Sequence, residues 1–194
     1  MENGFFAMHS RMKYIDRWAL MRNTFKENIS AHSNDVAAVA HALAVIGNVR
    51  LGKKLDADRA AVLGLYHDMP EIITGDMPTP VKYHSAEIRK EFAAVENEAC
   101  RTLLSMLPDD IAAEYEGFFF EKEEDMPLHK IVKAADKLSA LIKCIEEKKA
   151  GNSEFDSAFE ATRTAIKALD CPEADIFLDE FIPPFYKSLD ELTK

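Results

Sequence analysis

Four residues of this 194-residue sequence have side chains that are unusual for the positions where its helical pattern places them: His32, His67, Asp68 and Asp136. Asp136 follows Ala135 at the edge of an apolar helical stripe, where a carboxylate is costly unless a cation, a metal ion or hydrogen bonds satisfy it. His32 lies in the first turn of a predicted helix, and the adjacent pair His67-Asp68 ends another. Two imidazoles and two carboxylates form a mixed nitrogen and oxygen set that suits a divalent transition-metal ion. We therefore predict that these four residues bind one divalent ion.

Three further residues have types that complement such a site. A bound divalent ion can activate water for attack on phosphorus and neutralise phosphate charge. Glu71 follows Asp68 by three positions, a spacing that on a helix or tight turn places it near the metal, where it can accept or deliver a proton. Arg17 offers a two-pronged guanidinium beside the aromatic Trp18 and is a candidate phosphate clamp. The alternative for this pair is a cation-π contact packed on the surface.

Composition and charge exclude several classes of protein. With 47% hydrophobic and 30% charged residues, the chain is typical of a soluble globular protein, and its length predicts a single domain over residues 1–194. No apolar run approaches the roughly 20 residues of a membrane span, so we expect no membrane partner. The net charge of −10 disfavours nucleic-acid polymers. Three cysteines without CxxC spacing disfavour a disulfide framework and favour a cytoplasmic location.

Helical periodicity and helix-boundary residues predict an all-α fold without repeats or linkers. Ser30 is the expected N-cap of the long helix that carries His32, and Asp56 is the expected N-cap of the helix that leads to His67-Asp68. Pro70 and Gly75 bound a short helix, and residues 76–80 are then expected to form an ordered, irregular loop.

Two longer helices are predicted in the second half of the chain. The first is capped by Ser85, and its expected inner face consists of Ile88, Phe92, Val95, Ala99, Leu103 and Met106. The second runs from about Leu128 to Ile145, carries Asp136 and is closed by Gly151.

The ordered set of His32, His67-Asp68 and Asp136 resembles the signature of the HD-domain metal-dependent phosphohydrolases. Flanking segments narrow the resemblance to the HD-domain 5′-deoxynucleotidases of the YfbR type, over essentially the whole chain. These segments are Arg17 to Asn23, Glu27-Asn28, His32-Ser33, Tyr66 to Asp68, Gly75 to Lys82, Lys133 to Asp136 and Glu146-Glu147. The four-residue signature is moderately specific, whereas Arg17-Trp18 together with the loop from Gly75 to Lys82 is highly specific.

The resemblance implies an HD-domain helical bundle that hydrolyses 2′-deoxyribonucleoside 5′-monophosphates to deoxynucleoside and phosphate with one divalent ion. It implies that Glu71 is catalytic and that several residues bind the substrate, some of them together with the metal. The implied substrate-binding residues are Arg17, Trp18, His32, Asp68, Asp76, Met77, Pro78, Thr79 and Asp136. It also supplies most of the expectation of a homodimer, which broad apolar helix faces favour. One departure is Ala31, which stands where the family commonly has an acidic residue.

Chemistry and the resemblance together predict the selectivity. Asp76 and Thr79 can bond a sugar hydroxyl, while a close wall at Trp18 leaves no partner for a 2′-hydroxyl, so deoxyribose is expected to be preferred over ribose. Because no set of Asn, Gln or Arg accompanies the loop to read a base, low base selectivity is expected.

The residues alone leave some alternatives open. The ion is Co, Mn, Zn, Fe or Mg, since each of them can use nitrogen and oxygen ligands. One alternative is that the chain is an HD phosphohydrolase that acts on a cyclic diester, a triphosphate or guanosine tetraphosphate. The last substrate is disfavoured because Ile72 stands where a second acid is expected. A non-catalytic helical binding module is the remaining alternative, but it needs no Asp136 in a core stripe.

Overall fold

The computed structural model describes residues 3–82 and 84–194, in which α-helices are joined by turns and short 3-10 segments. Within these ranges there is no β-strand, and one isolated antiparallel bridge joins Asp16 and Asn28. The prediction of an all-α fold is confirmed. Numbered in chain order, the helices are α1 (Phe5–His9), α2 (Ile29–Arg50), α3 (Ala57–Tyr66), α4 (Glu71–Thr74), α5 (Thr79–Lys82), α6 (Ala86–Leu104), α7 (Asp109–Phe119), α8 (Met126–Lys149), α9 (Asp156–Lys167), α10 (Pro172–Glu180) and α11 (Leu189–Leu192).

The chain divides into two compact units. Unit 1 consists of Met1–Leu20, Phe25–Ser33 and Tyr66–Glu123, and unit 2 consists of Met21–Thr24, Asn34–Leu65 and Glu124–Lys194. Of the residues predicted to form the site, all but Asp136 therefore belong to unit 1.

The predicted metal ligands of unit 1 are held in place because residues close to them in sequence are buried in the core of this unit. Ile29 is fully buried three residues before His32, and Met69 is fully buried directly after Asp68. Both side chains belong to one apolar cluster, and burying each of them contributes on the order of 1.5–3 kcal/mol. The other buried members of the cluster are Phe5, Met12, Leu103, Leu104 and Leu107. The backbone that carries the ligands is thus fixed by hydrophobic packing.

Helix α2 begins one turn before His32, and its N-cap differs from the prediction. The Ala31 N–H donates to Asn28 Oδ1 at 3.0 Å, and the His32 N–H donates to the Asn28 carbonyl at 3.1 Å. The prediction that Ser30 caps this helix is wrong, because Asn28 does so and Ser30 lies in the first turn. Asparagine and serine are equally favourable caps, so local propensity does not choose between them.

The segment after the His-Asp pair contains two short helices, α4 and α5, of which the sequence predicted the first. Gly75 ends α4, as the sequence predicted, with a φ of +74° that favours glycine. The expectation of an irregular loop over residues 76–80 is only partly right, because α5 begins at Thr79. Pro80 occupies the second position of α5, and proline is well tolerated in the first turn of a helix.

Helix α6 has the predicted N-cap but a different buried face. Ser85 Oγ accepts a hydrogen bond from the Ile88 N–H at 3.1 Å, which confirms the cap. Phe92, like Ala99 and Leu103, is buried as predicted, whereas Ile88 and Val95 are 36% and 53% exposed. Cys100 and Leu104 are also buried and turn the inner face away from these two positions, which lie about 80–100° from its centre.

Unit 2 is built around α8, whose inner face is buried as predicted. Near its end, Lys143 Nζ lies 2.5 Å from Glu147 Oε1, and both side chains are at most 1% exposed. Glu147 also accepts hydrogen bonds from the Thr24 N–H at 2.9 Å and from Asn152 Nδ2 at 2.7 Å. A buried charge is thereby satisfied on every side. Across the described residues, none of the helices combines the length and apolar character of a membrane-spanning segment.

Candidate active site

His32, His67 and Asp68 bring three potential metal-binding atoms together in unit 1, where one donor atom of each lies within 4.8 Å of the other two. Asp68 Oδ2 is 3.4 Å from His32 Nε2 and 3.1 Å from His67 Nε2. Divalent transition metals bind nitrogen and oxygen ligands at about 2.0–2.2 Å, which sets neighbouring donor atoms about 3.0–3.5 Å apart. The cluster therefore fits a divalent ion in donor chemistry and in spacing.

The charge state of the cluster also suits a metal. His32 is fully buried, and the side chains of His67 and Asp68 are 16% and 20% exposed. Burial raises the pKa of Asp68, but the neighbouring His67, His32 and Arg17 outweigh it and hold that pKa well below its usual range. Asp68 is thus a carboxylate at neutral pH, which is the form that binds a cation.

Asp136, the fourth predicted ligand, is half-buried on α8 in unit 2. Its position beside the buried Ala135 agrees with the sequence pattern that placed it at the edge of an apolar stripe. Its assignment as a ligand stays a prediction.

Glu71 has the opposite electrostatic environment to Asp68. Its backbone N–H donates to the Asp68 carbonyl at 3.0 Å, so a tight turn joins the two residues. Among the described residues, no hydrogen-bond partner reaches the solvent-shielded Glu71 Oε2. Burial raises the pKa of Glu71 to about 9, with the negative charges of Asp68 and Asp76 adding to it and Arg17 and Lys82 opposing it. Without a bound cation, the Glu71 carboxyl therefore carries a proton at neutral pH.

Arg17 and Trp18 share a partner to which the sequence assigned no role. Arg17 Nη1 donates to Glu27 Oε2 at 2.8 Å, and Trp18 Nε1 donates to the same oxygen at 3.0 Å. The guanidinium carbon of Arg17 also lies 5.8 Å from the centroid of the Trp18 ring. The cation-π contact considered as an alternative is thus present, but Arg17 is only 12% exposed and is not packed on the surface.

Trp18 has a strained backbone that directs its amide toward the next segment of the site. Its φ of +58° lies in the left-handed region that bulky residues rarely adopt. Such a conformation costs on the order of 1–3 kcal/mol and persists where its surroundings hold it. The Trp18 N–H donates to the Asp76 carboxylate, and this bond partly offsets the burial that raises the pKa of Asp76.

The other predicted substrate-binding residues follow Asp76 in unit 1. Met77 and Pro78 are half-buried, and Thr79 is exposed at the first position of α5. Their contact with a substrate stays a prediction.

A cavity of about 510 Å³ opens beside His67, Asp68 and Glu71. Small-molecule sites commonly have volumes of about 300–1,000 Å³, so the cavity is large enough for a nucleotide. Its lining includes Phe118, whose ring stacks on that of Tyr66 at a centroid distance of 5.7 Å and an interplanar angle of 24°. The sequence did not predict this aromatic lining, because the consecutive residues Phe118 to Phe120 are more typical of a core or an interface than of a ligand site.

Comparison with known proteins identifies similar sequences along nearly the whole chain. A family model described as YfbR-like 5′-deoxynucleotidase matches residues 4–185. The chain is 46% identical over 192 residues to a 5′-deoxynucleotidase of Vibrio vulnificus, with 99% of each protein covered. It is 44% identical over 193 residues to 5′-deoxynucleotidase YfbR of Salmonella paratyphi B, with 100% of this chain and 97% of that protein covered.

Solved structures with lower sequence identity have the same fold. An HD-domain phosphohydrolase from Listeria innocua matches with a TM-score of 0.81 at 22% identity, covering 95% of this chain and 89% of that one. The HD phosphohydrolase of cyanophage S-2L, bound to dA and one catalytic Zn²⁺ ion, matches with a TM-score of 0.66 at 21% identity, covering 94% of this chain and 96% of that one. The predicted HD-domain helical fold is thereby confirmed.

Proposed function

This chain belongs to the YfbR-like 5′-deoxynucleotidase family, and we propose that it hydrolyses 2′-deoxyribonucleoside 5′-monophosphates to deoxynucleosides and inorganic phosphate. The observation that carries the proposal is the cluster of His32, His67 and Asp68, with Glu71 one tight turn away, beside a cavity of nucleotide size. Full-length relatives at 44–46% identity are named 5′-deoxynucleotidases. The cyanophage neighbour, which shares the fold, is bound to dA, a deoxynucleoside of the product class.

The enzyme uses a divalent metal ion, and we propose that one ion is held by His32, His67, Asp68 and Asp136. The three donor atoms in unit 1 support this assignment by their spacing, and Asp136 is included on the sequence pattern. When bound, such an ion supplies charge neutralisation at the phosphate and acidifies water. The neighbour with a catalytic Zn²⁺ ion makes zinc one candidate, beside Co, Mn, Fe and Mg.

The residues around the cluster divide the remaining work. Arg17 binds the phosphate, because its planar guanidinium suits two parallel hydrogen bonds to phosphate oxygens. As the bond from phosphorus to O5′ breaks, Glu71 gives its proton to the leaving oxygen. The attacking water adds its hydroxyl to phosphorus, and its remaining proton restores Glu71.

Sugar selectivity is assigned to the segment that meets Trp18. We propose that Asp76 and Thr79 bond a sugar hydroxyl, that Met77 and Pro78 line the same subsite, and that Trp18 closes it where a 2′-hydroxyl needs room. A buried hydroxyl without a partner costs about 1–3 kcal/mol, or about 5- to 150-fold in kcat/KM. The predicted tolerance of different bases rests on the absence of a base-reading set in the loop.

Phosphate release from a panel of nucleotides, each with several divalent metals, tests the function. The panel contains dAMP, AMP, dCMP, dGMP and TMP, together with a deoxynucleoside triphosphate, a cyclic dinucleotide and guanosine tetraphosphate. We expect turnover of all four deoxynucleoside monophosphates and weak turnover of AMP. Equal rates for dAMP and AMP contradict the sugar assignment, and turnover of the last three compounds alone overturns the function.

Asp136→Ala tests the fourth ligand. We expect the variant to lose both bound metal and activity while its circular dichroism stays helical. Lys133→Ala is the matched control, because Lys133 is exposed on the same helix, and this variant is expected to keep both properties. Full metal occupancy in Asp136→Ala contradicts the assignment.

We further propose that residues 1–194 work as one HD-type domain that forms a homodimer in the cytoplasm. The family model that spans residues 4–185 supports the single domain. The three cysteines are buried and form no disulfide bond within the described residues, which suits a reducing compartment. Apolar side chains such as Val49 and Leu189, each 76% exposed, offer surface for a second copy. Light scattering measures the oligomeric state, and a monomer at micromolar concentration contradicts the dimer.

A further inference from the structure

One carboxylate oxygen holds both members of the Arg17-Trp18 pair. Glu27 Oε2 accepts from Arg17 Nη1 at 2.8 Å and from Trp18 Nε1 at 3.0 Å, which are normal hydrogen-bond lengths. Because both donors converge on a single atom, the guanidinium and the indole have a fixed position relative to each other.

The backbone keeps Glu27 opposite this pair. The Arg17 N–H donates to the Glu27 carbonyl at 2.9 Å, and the Ile29 N–H donates to the Ile15 carbonyl at 3.0 Å. Between these bonds, Asp16 and Asn28 form the antiparallel bridge. The segment of Arg17 is thus paired with the segment that leads directly into α2.

Burial strengthens the side-chain contact. The side chains of Arg17 and Glu27 are 12% and 11% exposed, so solvent screens their attraction little. Charge-assisted hydrogen bonds are also shorter and stronger than neutral ones. The strained φ of +58° at Trp18 requires surroundings that hold it, and the bond from its indole to Glu27 is one such contact.

We propose that Glu27 is a positioning residue that sets the rate and the sugar selectivity together, by orienting the phosphate clamp Arg17 and the sugar wall Trp18 through one oxygen. The proposal rests on the proposed function for the roles of Arg17 and Trp18. It assigns Glu27 no contact with the substrate. Loss of Glu27 is therefore expected to lower both the rate, which depends on Arg17, and the sugar selectivity, which depends on Trp18.

Glu27→Gln and Glu27→Ala test this role against Lys26→Ala. Glutamine keeps the shape but loses the charge, whereas alanine removes the acceptor. Lys26→Ala is the matched control, because it removes an exposed ion pair with Asp16 from the same segment and leaves Glu27 in place. Thermal unfolding shows whether each variant is folded, and Glu27→Gln carries the test if Glu27→Ala does not fold.

Two measurements separate positioning from a general structural role. The first is the ratio of kcat/KM for dAMP to that for AMP. The second is the fluorescence of Trp18, which is the only tryptophan in the sequence and therefore reports its own environment. Emission maximum and acrylamide quenching need neither metal nor substrate, so they remain informative even if the wild-type enzyme hydrolyses no nucleotide and the proposed function fails.

In both Glu27 variants we expect kcat/KM for dAMP to fall at least about 10-fold, since small misplacements of a binding group have effects up to about 100-fold. The ratio of dAMP to AMP should fall at least about 5-fold, and Trp18 emission should shift to longer wavelength with stronger quenching. Lys26→Ala should resemble the wild type. An unchanged ratio, with or without a loss of activity, overturns the proposal. Unchanged Trp18 fluorescence in both variants overturns it as well.

Discussion

Replacing Glu71 by glutamine is expected to stabilise the protein while it removes activity. Glutamine has nearly the shape of a protonated glutamate, but it has no proton to give to a leaving oxygen. We therefore expect turnover of dAMP to fall about 10²-fold or more, with metal and nucleotide still bound. The free energy of unfolding should rise, because at neutral pH the wild-type Glu71 must take up a proton when the metal-free chain folds, whereas glutamine need not.

The size of the stability gain follows from the two pKa values of Glu71. Burial, with Asp68 and Asp76, raises its pKa in the folded protein to about 9, against an ordinary value of 4.5 for the unfolded chain. Between these values the unfolded state releases the proton and the folded state keeps it, so wild-type stability falls as pH rises. Each pH unit above 4.5 costs the wild type about 1.4 kcal/mol, so the gain in unfolding free energy for Glu71→Gln at pH 7 is at most about 3 kcal/mol. Partial exposure of Glu71 to solvent reduces the expected gain to about 1–3 kcal/mol.

Denaturant unfolding of metal-free protein at pH 5, 6, 7 and 8 measures this gain. The free energy of unfolding of Glu71→Gln should nearly equal that of the wild type at pH 5 and should exceed it increasingly up to pH 8. Glu96→Gln is the matched control, because Glu96 lines the same cavity but is paired with Lys82 at 2.9 Å. This control should show no gain. A difference between Glu71→Gln and wild type that is constant from pH 5 to pH 8 refutes the reasoning, and near-normal turnover refutes the catalytic role.

Removal of the metal by a chelator should abolish phosphate release and lower the melting temperature. Adding a divalent ion at about 100 times its Kd should raise the free energy of unfolding by about 2.7 kcal/mol. A melting temperature that does not change with the ion contradicts the metal site. Glu147→Gln should destabilise the protein by about 1–3 kcal/mol at pH 7 and little near pH 2. Burial raises the pKa of Glu147, but hydrogen bonds from Lys143, Asn152 and Thr24 outweigh it and lower that pKa to about 2. The stability that Glu147 contributes is therefore complete above about pH 4.5 and is lost as pH falls toward 2, which urea unfolding at both pH values measures.

The all-α fold class and several helix ends were predictable from the sequence, because they depend on residues close together in the chain. Asp56 and Gly75 act as their types predict, with the Arg59 N–H donating to Asp56 Oδ1 at 2.9 Å and Gly75 in the left-handed region. Ile88 and Val95 were misplaced because apolar character shows that a helix has an inner face but leaves its centre uncertain by a residue or two. Packing against other elements decides which residues turn inward.

The clustering of His32, His67 and Asp68 was predictable because these residue types are rare on apolar helical faces and can bind the same metal ion. Glu27 lies in one of the segments that carry the family resemblance, but its residue type and spacing indicate no contact with Arg17. It is ten residues from Arg17 along an irregular segment, so neither helical nor strand periodicity relates the two positions. Their relation depends on the paired backbone between Ile15 and Ile29, which is a tertiary feature without a local pattern.

Asp68 and Glu71 show where inference from residue types ends. Both are carboxylic acids in one turn of chain, and both are largely shielded from water, which raises the pKa of each. Asp68 faces two imidazoles and stays ionised, whereas Glu71 faces two other carboxylates and keeps its proton. Pairs of acids whose environments separate their pKa values commonly divide the chemical roles between them. The ionised Asp68 is thus suited to hold a cation and the protonated Glu71 to supply a proton, and this division arises from the three-dimensional arrangement of their neighbours.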